Sequence, residues 1–258
     1  MYKSLFLILA VGLSACKMES LEDPIIVADI DREFIIDMIE ILDISENLLT
    51  LRIETIRNEN CLNATIEHTV QQSGNQVEIS LKKISNPVNC QSGQGPAKTT
   101  AKLDQLTLGN YNFSIDLLET ITNEGVLVNG ASSWRLNLKT ENGIQILHNE
   151  LLKIPEYSIW GWVSYSGSTQ QVAARVLDDI SQLSSGRTFE PGYYGHFSLN
   201  ADQISIRETP DNQYFLPILT HIRLENIPLL QEMLHNYRST YQADQLSIKL
   251  TNWQGQTL

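Results

Sequence analysis

The sequence predicts a two-domain protein, an all-β sandwich over residues 31–150 followed by an α+β domain over 151–258. Three observations carry this. From Phe34 onward, runs rich in Ile, Leu, Thr and Val are broken by turn residues roughly every ten positions, the spacing of short sandwich strands. Past Pro155 the pattern changes, and apolar stripes of helical period appear between the strands. Hydrophobic residues make up 42% of the chain and charged ones 19%, enough apolar material for a core and too little charge for a disordered chain.

Within the first domain, strands are expected over 34–42, 48–56, 65–71, 77–84, 99–103, 111–117, 134–138 and 144–147. Alternation supports them. In 77–84, Val77, Ile79 and Leu81 fall on one face and Glu78, Ser80 and Lys82 on the other. The first segment also carries Ile30, Phe34, Met38 and Leu42 at i, i+4 spacing, so helix and strand both stay open there. In the second domain a strand over 157–165 precedes a helix over 170–183. Val172, Val176, Ile180 and Leu183 share one face of that helix, with Ser168 or Thr169 as N-cap and Gly186 as stop. Strands follow over 193–199, 203–207 and 215–224. A second helix is capped by Asn226, carries Pro228 in its first turn, and places Leu230, Met233, Leu234 and Tyr237 on its apolar face. A strand over 246–250 closes the chain. This β-α-β-β-α-β order is ferredoxin-like, with the short strand at 203–207 as an addition.

Residues 1–15 read as a signal peptide. Lys3 gives the positive start, 5–13 an apolar run, and Leu13-Ser14-Ala15-Cys16 a small-residue cleavage site ending on cysteine, the pattern of a bacterial lipobox. The apolar run is about nine residues against the roughly 20 needed to span a bilayer. The mature chain is therefore expected to begin at a lipidated Cys16 and to hold the membrane through that lipid, with 16–30 as a tether. Without Lys3, 17 Lys and Arg face 30 Asp and Glu, a net charge of about −13. Such a surface repels phosphate backbones and anionic headgroups, which argues against nucleic acid as a partner.

Apart from Cys16 the chain has two cysteines, Cys61 and Cys90. In an oxidising compartment such a pair reads as a disulfide, and loop-closure entropy puts its stabilisation at about 3.6 kcal/mol. A metal site lacks any nearby ligand spacing, and no cofactor is expected.

The stretch Leu103-Asp-Gln-Leu-Thr-Leu-Gly-Asn-Tyr111 is a leucine run that turns at glycine into a strand opening with tyrosine. It resembles the tyrosine corner of immunoglobulin-like sandwiches. Antibody-type domains carry a cysteine two residues later, where this chain has Phe113, so Cys61–Cys90 is expected to tie the start of a strand to the loop over 91–97 instead. Taken with the lipobox, Asn60-Cys61, Glu67-His68, Cys90 and Gly95-Pro96-Ala97, residues 34–150 resemble the Ig-like domain of uncharacterised Bacteroidota lipoproteins. Lys17-Met18-Glu19 is similar to the signals that send some of these to the outer face of the outer membrane. The resemblance implies a location and a fold and no activity.

HExxH, G-x-S-x-G, P-loop, G-x-G-x-x-G and C-x-x-C patterns are missing from the sequence, which lowers the standing of an enzyme. Glu67 with His68, His148 with Glu150, and Asp178-Asp179 are neighbour pairs of a kind chance supplies. His196 and His221 meet only if their strands pair, and read as structural histidines. The aromatic group stands out. Trp160 and Trp162 share one face of their strand while Ile159 and Val163 take the other, so both faces are apolar and one lacks helical cover. Domain packing, a partner chain or a sugar ring would each cover it, and Tyr193 and Tyr194 would extend it. The expectation is a lipid-anchored envelope protein that binds a protein partner in an outer-membrane assembly or a polysaccharide. A structural spacer or adhesion module and, further down, a hydrolase of envelope or dietary polymers are the alternatives.

Overall fold

Ten consecutive strands of the chain form one sheet in the computed structural model, which describes residues 33–43, 48–201, 203–211 and 214–258. The expected signal peptide, Cys16 and the tether over 16–30 lie outside the described residues. The strands are β1 (Phe34–Ile41), β2 (Leu48–Glu59), β3 (Thr65–Ser73), β4 (Gln76–Ser85), β5 (Gly95–Lys102), β6 (Gly109–Leu117), β7 (Ile121–Asn129), β8 (Ser133–Leu138), β9 (Ile144–Ile146) and β10 (Glu150–Leu152). Their order across the sheet is β10-β8-β7-β6-β4-β3-β5-β2-β1-β9. The two edges are β9 and β10, which are neighbours in the chain, so one segment pairs with β1 at its start and with β8 at its end. The sheet thus curls until a single bent stretch, with His148 at its corner, bridges both edges. Curling covers edges that would otherwise template aggregation.

Alternation places Val77, Ile79 and Leu81 of β4 and Tyr111, Phe113, Ile115 and Leu117 of β6 inside, packed with Phe34, Ile36 and Met38 of β1. The open question at 34–42 resolves as strand, because β1 pairs along its whole length with β2. The strand β7 had no counterpart in the sequence reading. Its inward positions are Asn123, Gly125, Leu127 and Asn129 while Val126 and Val128 point outward, which inverts the usual pattern. Asn123 is satisfied by bonds to Thr140 and Asn142, and Asn129 by bonds to Leu106 and Lys153.

Tyr111 donates its hydroxyl to the Thr107 carbonyl at 2.8 Å, the upstream bond expected of the Gly109-Asn-Tyr111 corner. Cys61 and Cys90 are disulfide-bonded with Cα atoms 5.5 Å apart. The bond ties the end of β2 to the β4–β5 connection, where Asn63 adds bonds to Asn89 and Gln91.

The second part holds β11 (Ser158–Tyr165), α1 (Gln170–Leu183), β12 (Gly192–Tyr193), β13 (Phe197–Asn200), β14 (Gln203–Ile206), β15 (Phe215–His221), α2 (Ile227–Thr240) and β16 (Leu246–Asn252). β11 lies between β15 and β16, antiparallel to both. One face of that sheet packs Ile159, Val163, Ile218 and Leu250 against Ala173, Val176, Ile180, Leu230 and Leu234 of the helices. Asn226 makes no side-chain cap to α2; its amide instead donates to Leu183, a terminal carbonyl of α1. α1 stops at Leu183 with Ser184 extended, two residues before Gly186.

The segment expected as one strand over 193–199 is a hairpin. β12 and β13 pair antiparallel around Tyr194-Gly195-His196, with Gly195 at φ +81°, and β14 pairs with β13. These three form their own sheet and do not extend β15-β11-β16. Beside β15 the chain leaving α1 makes a single bridge, Ser184 to Ile222, and then crosses to the far face.

Candidate functional site

β1 is buried on both sides. Its inward residues belong to the main core, and outward-pointing Asp37 and Ile39 lie under the β12–β13 turn, where Gly195 packs on Ile39. The Asp37 side chain, 7% exposed, accepts from three partners: His148 Nδ1 at 3.0 Å, the Tyr193 hydroxyl at 2.7 Å and Arg207 at 3.0 Å. A carboxylate only accepts, so His148 carries its proton on Nδ1. The His148 and Tyr193 rings stack at 3.6 Å. Burial, then the bond to Asp37, pushes the Tyr193 hydroxyl pKa far up, so it remains a donor. Arg207 also donates to the Tyr193 oxygen and the Gly195 carbonyl, each at 3.0 Å. Every member of this cluster is engaged in joining β1 to the β12–β14 sheet.

Glu40, three residues along β1, is 3% exposed and accepts from Trp134 Nε1 at 2.7 Å. Burial raises its carboxyl pKa, offset by the Trp134 bond, the Lys153 charge and the Ile154 amide. Lys153 sits 4.9 Å over the Trp134 ring and donates to Asn129 and Gly130; burial lowers its ammonium pKa. The Glu40 backbone carbonyl accepts from His196 Nε2 at 2.8 Å. Burial lowers the His196 pKa, which keeps the ring neutral with its proton on Nε2.

Where these contacts end, a cleft of about 350 Å³ opens between the end of β1, β11, the residues after β14, and β16. Trp160, Trp162, His196, Arg207, Glu208 and Lys249 line it. Trp160 is 4% exposed, with its ring against His196 and Phe197. Trp162 is half-buried, and its indole N–H donates to the Glu208 carbonyl at 2.9 Å, which fixes the ring at the wall. Lys249 donates to the Glu208 carboxylate at 2.7 Å, and this bond with its charge holds the Glu208 carboxyl below the usual range. Gly161, at φ +150°, lets β11 approach β16, since a Cβ there would collide with the Lys249 carbonyl. The cleft joins an aromatic wall to an accessible acceptor and donor, a combination suited to a hydroxyl-bearing ligand.

The sequence-stated residues divide. Trp160 and Trp162 face the cleft and the junction cluster of Ile154, Tyr194, Phe197 and Ile206. Tyr193 belongs to the Asp37 cluster, and Tyr194 is buried, stacked on Phe197 with its hydroxyl on the Glu190 carbonyl. His196 and His221 are not brought together: His221 bonds Ser185, and its Nε2 has no hydrogen-bond partner among the described residues. Glu67 bonds Ser85 and Lys83, and His68 bonds Thr99. Asp179 holds Tyr237, raising that phenol to about 12, first through burial and then through the bond. Asp37, Glu40, Arg207, Glu208 and Lys249 were not singled out from sequence, and no motif marks them. The one available signal was Asp37 and Glu40 breaking an otherwise apolar strand. Among the described residues no cluster could hold a metal and no helix is long and apolar enough to cross a membrane. No family model, curated protein or solved structure matches the chain.

Proposed function

We propose that this is a lipid-anchored envelope protein, held to the outer membrane through Cys16, that binds a saccharide in the cleft beside Trp162. The observation that carries the reading is the fixed, half-buried Trp162 next to the solvent-accessible Glu208–Lys249 pair in a cleft of about 350 Å³. The C–H face of a sugar ring packs on an aromatic ring as apolar surface, and its hydroxyls need both acceptors and donors at the rim. The curled sheet is read as a variant of the Ig-like sandwich of Bacteroidota lipoproteins, supported by the Tyr111 corner. The second part is read as a ferredoxin-like domain whose second strand is reduced to the Ser184–Ile222 bridge, supported by the antiparallel β15-β11-β16 order. Protein-partner binding is the second reading, favoured by the exposed Leu224 just before α2 and Leu229 in its first turn.

Affinity electrophoresis through gels containing soluble envelope and dietary polysaccharides tests the first reading. At least one polysaccharide is expected to retard the wild type, and Trp162→Ala to run unretarded. A chain that no polysaccharide retards overturns it. For the anchor, fatty-acid labelling is expected to mark the wild type and not Cys16→Ser, and equal labelling of both overturns that part.

A further inference from the structure

We propose that the cleft selects uncharged saccharides and rejects uronate or phosphorylated ones, with Glu208 setting that choice by cancelling Lys249. The proposal rests on the cleft being a saccharide site and deepens it to a ligand class. Among the described residues, two cationic side chains line the cleft, Arg207 and Lys249. Each is paired with a carboxylate. Arg207 meets the Asp37 carboxylate at 3.0 Å and gives further bonds to the Tyr193 oxygen and the Gly195 carbonyl. Lys249 meets Glu208 at 2.7 Å. The remaining basic group, His196, is buried against Trp160 and donates its Nε2 proton to the Glu40 carbonyl.

An anionic sugar placed on Trp162 would therefore set its charge beside the Glu208 carboxylate with no unpaired cation, among the described lining residues, to receive it. A neutral sugar meets no such opposition. Glu208 accepts only, while the Lys249 ammonium keeps two of its three donors after the bond to Glu208, so the pair offers an acceptor and donors side by side, as two adjacent hydroxyls require.

The variant that tests charge selection is Glu208→Gln, read as the ratio of the two affinities. Trp162 is held by the Glu208 backbone carbonyl, so this change leaves the aromatic wall in place and frees the Lys249 charge. A glycan array with neutral and uronate oligosaccharides identifies the best of each class, and calorimetry on the full chain compares them. The wild type is expected to bind the neutral oligosaccharide at least ten-fold more tightly than the uronate, and Glu208→Gln to narrow that ratio at least five-fold. A wild type that binds the uronate equally or more tightly, or a ratio unmoved by Glu208→Gln, overturns the charge inference while leaving the saccharide reading standing. A chain that binds no glycan of either class overturns both.

Discussion

The Arg207 guanidinium meets the Asp37 carboxylate at 3.0 Å, joining the residue that follows β14 to the middle of β1. Around this pair the stacked His148 and Tyr193 complete a polar contact in which both parts of the chain contribute donors to one buried carboxylate. The contact works as a joint. It fixes the cleft walls, because Arg207 and Glu208 are adjacent and Glu208 holds Trp162.

Breaking a fully buried ion pair from one side costs roughly 3–5 kcal/mol, and the exposure of the Arg207 side chain, 30%, reduces this. Arg207→Ala is expected to lose about 2 kcal/mol, and a double-mutant cycle with Asp37→Asn to give a coupling of about 1 kcal/mol or more. Urea denaturation measures both. Additive losses would mean the pair contributes nothing to the joint.

Glu40 gives a pH dependence whose sign follows from its raised pKa. The folded state binds this proton more tightly than the unfolded state, so the contribution is fully present below the ordinary value of 4.5 and is lost as pH rises through the folded value. Relative to Glu40→Gln, the wild type is therefore expected to lose stability between about pH 4 and pH 7. The other carboxylates are common to both proteins and cancel to first order. Urea denaturation at the two pH values checks this, and a difference that stays constant or moves the other way contradicts it.

How far the fold was legible follows from where side chains alternate. β4 and β6 put apolar residues inward at every second position, and both could be read directly. β7 could not, because its inward asparagines are paid for by partners distant in sequence, Leu106 and Thr140 among them, that local pattern cannot reveal. The hairpin at Tyr194-Gly195-His196 was missed for a related reason: Gly195 breaks the strand, but its placement on Ile39 depends on the other half of the molecule. The same limit governs the site. Trp160 and Trp162 stood out as an aromatic pair on one strand face, whereas Glu208 and Lys249 are ordinary charged residues until topology sets them side by side.

Gly161→Ala is expected to cost about 3 kcal/mol or more, since the new Cβ meets backbone on β16 that cannot move without separating two paired strands. Gly74→Ala is the control. Its φ of +57° makes alanine unfavourable, but open space surrounds it, so a loss of about 1–2 kcal/mol is expected. Thermal melting of the two variants separates them, and equal losses would mean that the β11–β16 approach tolerates a side chain.

The two tryptophans divide packing from binding. Trp160, 4% exposed between His196 and Phe197, fills the junction cluster, and Trp160→Ala is expected to cost about 3–5 kcal/mol, the usual penalty for truncating a buried aromatic. Trp162 is half-buried at the cleft wall, and its loss removes one bond to Glu208 and a partial contact, so Trp162→Ala is expected to cost about 1–2 kcal/mol while abolishing retardation by polysaccharide. Melting curves and affinity gels on the same two variants give both readouts. If Trp162→Ala destabilises the chain as much as Trp160→Ala, its indole is a packing group like its neighbour. If its loss leaves polysaccharide binding intact, the saccharide lies elsewhere and the cleft loses its role.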